Sequence, residues 1–334
     1  MNFTVLPAGA WGTAMALHLE RLGHIVTLMP RTTEEAMEMA SSRENKAFFP
    51  GHRIPDSLQI GMEYKPSLME AEVCIIAAPS QFLRSICKEL RPALDSARQL
   101  RLFLTLCKGL EESTGKLPVE VMAEELPGYG HGVLSGPTFA SQVAEGQPSA
   151  LVLAVDSASG GFEDVQDAVS GNHVRVYTSD DLIGVELGGC LKNVYAIASG
   201  ICDGLGFRDN AKAALLTRSL HEMVRLGVAL GGKRETFYGL SGFGDLVLTC
   251  NGEESRNRTF GELFAKGVSV EELLGERRMT VEGYRTCKTF HEICCEKDLE
   301  APILHEIHAI LYEGKSAEGA LKSLMSRDLK PERL

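Results

Sequence analysis

The sequence predicts an α/β doubly wound sheet over residues 1–180, followed by an all-α domain over residues 181–334. Three observations predict it. The chain opens as strand, glycine turn, helix and strand within about thirty residues, the pattern of a βαβ unit. Apolar runs and helical stretches then alternate to about residue 180, as parallel sheets require. Beyond residue 181 the strand signals largely stop and the apolar spacing turns helical.

In order, residues 3–6 read as a short buried strand leading into Pro7-Ala8-Gly9-Ala10-Trp11-Gly12. Residues 13–23 form an amphipathic helix that Gly23 stops, and residues 25–29 a second strand. Set against G-x-G-x-x-G, Gly9 and Gly12 take the second and third glycine positions and Pro7 stands at the first. Proline fixes φ near −65° and has no N–H, so the turn needs another backbone conformation. Gly9 and Gly12 still leave a pyrophosphate its close approach and a helix N-terminus. Together they read as a Rossmann-type nucleotide site or, more plainly, as a tight turn. Where an acidic residue would hold the ribose hydroxyls of NAD, the chain has Pro30-Arg31-Thr32. Arg31 would attract a 2′-phosphate, which favours NADPH; otherwise it is a surface arginine.

Continuous apolar runs follow at residues 73–77, 102–106, 132–134 and 150–155, with helical stretches such as 81–90 and 118–125 among them. Three runs end in distinctive turns, Ala78-Pro79-Ser80, Cys107-Lys108-Gly109 and Ser135-Gly136-Pro137-Thr138. Ligands of open α/β sheets lie outside the carboxyl ends of the strands. Lys108 can meet an anion there, Gly136 lets a ligand approach the backbone, and Thr138 offers a hydroxyl. Alternatively, these are turns and helix caps.

The second half turns on residues 184–200, GVELGGCLKNVYAIASG. Ile183, Leu187, Leu191, Val194 and Ile197 make a helical stripe, and glycines and alanines surround Lys192 and Asn193 with little bulk. A lysine so placed is desolvated, and its pKa is drawn toward ~7–8, where it can exchange protons; or it snorkels out beside a close helix pair. Further helices are expected over residues 210–230, 258–266, 283–296 and 302–313. Asp245, among glycines, reads as a helix cap, or else as a group that binds a substrate hydroxyl or orients Lys192. Ser255-Arg256-Asn257 opens a helix and joins backbone N–H groups to a guanidinium, a cradle for phosphate or simply a basic helix start.

Composition narrows the rest. A net charge of −11 argues against nucleic-acid and basic membrane-surface binding. Nine scattered cysteines, no CxxC pair and no leader-like N-terminus point to reduced thiols in the cytoplasm. No apolar run is long enough to span a bilayer. No metal site is expected: His305-Glu306-Ile307-His308 is not H-E-x-x-H and reads as an exposed helix face, and Cys294-Cys295 lacks zinc-ligand partners at workable spacing.

In this order, GAWGTA (9–14), APSQ (78–81), CKGLE (107–111), SGPTFA (135–140), IGVELGGCLKNVYAIASGICDGLGF (183–207), GFGDLVLTC with SRNR, and VEGYRT (281–286) form a specific set. The chain resembles the bacterial-type NAD(P)-dependent glycerol-3-phosphate dehydrogenase family over about residues 2–326. That resemblance implies a Rossmann-type N-terminal domain, a helical substrate domain, a cleft between them, and a homodimer. It implies reversible reduction of dihydroxyacetone phosphate to sn-glycerol 3-phosphate by NADPH or NADH, supplying glycerophospholipid synthesis. Carried onto this sequence, it makes Lys192 the acid/base, with Asn193 and Asp245 as catalytic neighbours. Lys108, Gly136, Thr138, Thr249, Ser255, Arg256 and Asn257 become substrate residues. Gly9, Ala10, Trp11, Gly12, Arg31, Pro79, Lys108, Ala140, Arg256, Thr280 and Glu282 become cofactor residues. Pro7, where the family has glycine, bears on cofactor affinity. Two rivals stand beside it: a reductase of another small hydroxy acid on the same two-domain plan, and a nucleotide-binding sensor or partner protein without catalysis.

Overall fold

The computed structural model describes residues 1–156, 162–276, 280–329 and 331–332. The chain forms two units, Met1–Cys107 with Leu117–Leu182, and Lys108–Lys116 with Ile183–Leu334.

The first unit is built on an eight-stranded sheet in the order β10-β9-β8-β7-β6-β1-β2-β5. Its strands are β1 (Asn2–Leu6), β2 (Ile25–Leu28), β5 (Gln59–Ile60), β6 (Val73–Ile76), β7 (Leu102–Thr105), β8 (Gly130–Ser135), β9 (Ser149–Val155) and β10 (Val174–Ser179). A separate two-stranded ribbon, β3 (Glu44–Asn45) with β4 (Phe49–Arg53), completes the set. Helices α1 (Ala10–Arg21), α2 (Thr33–Ser42), α3 (Tyr64–Met69), α4 (Ser80–Leu90), α5 (Pro118–Glu125), α6 (Ala140–Ala144) and α7 (Glu163–Val169) connect the strands. Val5, Leu28, Ile75, Leu104, Leu134 and Leu153, one from each of six strands, meet Leu19 of α1 in the core. Such runs, buried on both faces, are what parallel strands look like in sequence.

The sheet is parallel except where β9 runs antiparallel to β8. The apolar runs at 132–134 and 150–155 become these two strands, yet side-chain pattern carries no strand direction. An added Cβ at Gly132 would lie 2.6 Å from the Ala154 carbonyl oxygen, so this strand crossing depends on glycine. Strand order reverses between β2-β1 and β6, which places a switch point outside the end of β1.

The second unit is helical: α8 (Leu182–Gly204), α9 (Asp209–Ala229), α10 (Asp245–Asn251), α11 (Arg256–Ala265), α12 (Glu282–Glu296), α13 (Pro302–Tyr312) and α14 (Ala317–Met325). Helix α8 is not an amphipathic surface helix, because every residue from Gly184 to Ile201 is buried. Ile183, at the head of the expected stripe, is 40% exposed. Glycine lets neighbours close on α8: an added Cβ at Gly188 would come within 2.8 Å of the Ser241 carbonyl oxygen, and one at Gly200 would overlap that of Arg258. Among the described residues, no helix is long and apolar enough to cross a membrane.

Candidate active site

In the second unit the polar side chains converge on one carboxylate. A π-helical turn over Leu240–Gly244 leads directly into α10, and its first residue, Asp245, is fully buried. Asp245 does not cap the helix: Gly244 holds the cap position without a side-chain bond. Its carboxylate instead takes a hydrogen bond from Lys192 Nζ on Oδ1 and one from Lys108 Nζ on Oδ2, both at 2.6 Å. Thr249, one turn along α10, accepts from Lys192 Nζ at 2.7 Å and donates to Asp245 Oδ1 at 3.1 Å. Lys192 does not snorkel; its side chain is 8% exposed and ends inside the unit.

Burial is the main influence on Lys192 and pulls its pKa down from the usual lysine range to about 8. Asp245 opposes that shift, and the Lys108 ammonium adds to it. Burial would raise the Asp245 carboxyl, but the Lys108 and Lys192 ammonium groups outweigh it and hold the carboxyl below the ordinary aspartate range. The cluster is two ammonium groups around one carboxylate, a net positive centre suited to anions.

A chain of amides holds the cluster in register. Asn193, next to Lys192, donates from Nδ2 to the Lys108 carbonyl at 2.8 Å. Asn257 Nδ2 donates to Asn193 Oδ1 at 2.9 Å, and Asn257 Oδ1 accepts the Gly283 N–H at 3.0 Å. Segment 108–116, read from sequence as part of the first domain, therefore belongs with the second, where Glu112 also pairs with Arg285 at 2.7 Å. Ser255 accepts the Arg258 N–H and so caps α11. Arg256, the first residue of α11, is exposed and makes no ion pair among the described residues, whereas Arg258 is tied to Asp203 at 2.7 Å. Glu282 opens α12, and Thr280 is exposed just before it. The amide chain was not visible in sequence, since it joins residues 85 and 64 positions apart.

In the first unit the expected residues cluster at the carboxyl ends of parallel strands. Gly9 precedes α1 and has open space around its α-carbon. No acidic residue occupies the first turn of α1, so its N-terminus suits a phosphate. An added Cβ at Gly12 would overlap the Pro7 carbonyl oxygen, so glycine there permits close helix–strand packing. Ala10 begins α1 and Trp11 packs on the core. At the end of β2 a cavity of about 370 Å³ is lined by Pro30, Arg31, Thr32, Met62 and Tyr64, among others. Arg31 pairs with Glu35 at 3.1 Å and lies 4.7 Å from the Phe48 ring centroid. Pro79 precedes α4 after β6, and Ala140 opens α6. After β8, Gly136 has φ +146°, a conformation that favours glycine, and Thr138 bonds its carbonyl at 3.3 Å. These features fit a dinucleotide.

The histidines and the cysteine pair expected to be inert are arranged otherwise. His305 and His308 are half-buried rather than exposed. Cys295 lies 3.7 Å from His291 Nε2, and His305 Nδ1 is 2.9 Å from His291 Nδ1. The His291–Cys295 spacing of four was present in sequence; the third member comes from the next helix.

Comparison with known proteins gives a consistent result. A family model described as NAD-dependent glycerol-3-phosphate dehydrogenase N-terminus matches residues 2–160, and one for the C-terminus matches residues 181–322. The chain is 46% identical to the glycerol-3-phosphate dehydrogenase [NAD(P)+] of Thiobacillus denitrificans, covering 99% of this chain and 100% of that protein. It is 45% identical to the protein of the same description from a Thermoanaerobacter species, over 99% of each. The crystal structure of glycerol-3-phosphate dehydrogenase from Coxiella burnetii matches with TM-score 0.90 and 37% identity, covering 98% of this chain and 99% of that one.

Proposed function

Because the chain belongs to the NAD(P)-dependent glycerol-3-phosphate dehydrogenase family, we propose that Lys192 is the acid and base of its reaction. One observation carries the proposal: a buried amine held on a fully buried carboxylate that it shares with a second ammonium. The enzyme is an oxidoreductase that reversibly reduces dihydroxyacetone phosphate to sn-glycerol 3-phosphate with a nicotinamide cofactor.

The bound nicotinamide supplies the hydride in one direction and takes it up in the other. The chain's residues handle proton, charge and position. Lys192 gives its proton to the carbonyl oxygen as that oxygen becomes an alkoxide, and recovers it in the reverse direction. A pKa of about 8 leaves the amine protonated often enough to act as acid and acidic enough to let go. Asp245 and Thr249 take two of its three donor positions and fix where the third points. Lys108 adds positive charge beside it. Arg256, with Ser255 and the N-terminus of α11, holds the phosphate, which uses binding energy remote from the carbonyl for orientation. Asn257, whose side chain is spent on Asn193 and Gly283, contributes by holding α11, α8 and Lys108 together.

For the cofactor, Gly9, Ala10, Trp11 and Gly12 take the pyrophosphate at the α1 N-terminus, with Pro79 and Ala140 as further contacts. Arg31 takes the 2′-phosphate of NADPH, and its existing partner Glu35 makes this a preference rather than a requirement. The nine free thiols support a reducing, cytoplasmic setting.

The test is an initial-rate assay of dihydroxyacetone phosphate reduction with each cofactor, on the wild type and Arg31→Ala. The variant should lose about tenfold in kcat/KM for NADPH and change less than about twofold for NADH, the loss of one exposed charge-assisted contact. Equal losses with both cofactors would remove Arg31 from cofactor choice.

A further inference from the structure

Helices α12 and α13 gather metal-binding side chains that neither hydride transfer nor phosphate binding uses. His291 and Cys295 are four residues apart on α12 and so share a face. His291 Nε2 is 3.7 Å from Cys295 Sγ. Across on α13, His305 Nδ1 is 2.9 Å from His291 Nδ1. One ligand atom from each of the three residues lies within 4.8 Å of the other two. Tetrahedral zinc, with bonds of about 2.3 Å to sulfur and about 2.0–2.1 Å to nitrogen, sets adjacent donors about 3.3–3.6 Å apart. The His291–Cys295 pair is already near that spacing; His305 meets His291 at its other ring nitrogen, so metal binding exchanges that imidazole–imidazole hydrogen bond for a bond from His305 to the ion.

The surroundings favour a cation. His308 stacks on His291 at 3.6 Å between centroids and is held in turn by Glu313 at 3.1 Å, which fixes the ring as an outer-shell partner would. Cys295 is exposed, so the site has an entry path and room for a water as fourth ligand. We propose that His291, Cys295 and His305 bind a thiophilic divalent transition-metal ion of the zinc class and clasp α12 to α13. The ion takes no part in the reaction: along α12, His291 is about 12 Å from Gly283, the residue that reaches the amide chain of the site.

The test is titration of the purified, phosphine-reduced enzyme with Co²⁺. One equivalent should give tetrahedral visible bands and a thiolate-to-cobalt charge-transfer band, both displaced by Zn²⁺. Cys295→Ser should abolish the charge-transfer band, and His291→Asn or His305→Asn should weaken binding at least tenfold. Cys202→Ser, a change at a half-buried thiol elsewhere, should leave the spectrum as it was. Unchanged turnover of the metal-free Cys295→Ser enzyme shows that this variant folds. The proposal fails if no band develops at one equivalent, or if the charge-transfer band survives Cys295→Ser. It fails equally if Co²⁺ binds without that band, which would place the ion on His291, His308 and Glu313.

Discussion

Asp245 carries two ammonium groups on a carboxylate that has no exposure at all, and the behaviour of Lys192 follows from that sharing. Removing the amine should leave cofactor binding intact, since no residue of the nucleotide turn is touched. Lys192→Ala is expected to keep its NADPH affinity by fluorescence titration and to lose about 10²–10⁴ in kcat, the range of acid–base assistance. Near-native turnover would take Lys192 out of the mechanism. The pH dependence has a definite sign. Reduction needs the ammonium, so its kcat should fall as pH rises through about 8; oxidation needs the free amine and should rise through the same value. In Asp245→Asn the group that raises the Lys192 pKa is gone while Lys108, which lowers it, stays. The limb should then move below pH 8 in whatever activity remains, and the fold should lose about 3–5 kcal/mol for removing the partner of one buried and one half-buried cation. A limb that stays in place would mean that it reports another group.

At the scale of elements, Glu222 does for the helical unit what Asp245 does for the site. Buried on α9, it accepts the N–H groups of Ile303 and Leu304 at 2.9 Å each, which caps the start of α13, and Tyr195 of α8 donates to it at 3.3 Å. Burial raises its pKa from 4.5 to about 7, against the pull of those N–H groups. A folded-state value above the unfolded one means that the native state holds the extra proton. The associated stability is full below pH 4.5 and disappears as pH rises through about 7, some 3 kcal/mol in all. Urea denaturation of wild type and Glu222→Gln across that window should show the wild type losing its relative advantage as pH rises; a constant difference would contradict it. None of this was legible in sequence, because Glu222 on α9 draws its partners from two other helices, α8 and α13. The elements themselves were more legible. The helix over 118–125 sits where apolar period and Pro punctuation put it, and the termini of α12 and α13 fall within one residue of the expected 283–296 and 302–313. The β3–β4 ribbon, with Pro50 and Gly51 inside it, and the two-residue β5 carry no pattern long enough to read. Local glycines make Asp245 read as a cap, with orienting Lys192 as the alternative, and contacts spanning 53 and 137 positions, from Lys192 and Lys108, show which use it has.

For the whole molecule, the consequence of two cores is that ligands can stabilise them separately. The nucleotide turn and the 370 Å³ cavity lie wholly in the unit formed by Met1–Cys107 and Leu117–Leu182, whereas the lysine cluster lies wholly in the other. The chain holds a single tryptophan, and Trp11 belongs to α1 of the first unit, packed on its core. Its fluorescence therefore follows that unit alone, while far-ultraviolet circular dichroism is weighted toward the seven helices from α8 to α14. NADPH at a hundred times its Kd should stabilise the unit that binds it by about 2.7 kcal/mol. In urea, the Trp11 transition should move to higher denaturant with NADPH while the helical signal moves less. Chains with two cores need not unfold in one step, so the two probes are free to separate. Coincident curves, displaced together by NADPH, would show instead that the units unfold as one, with the cofactor stabilising the whole chain.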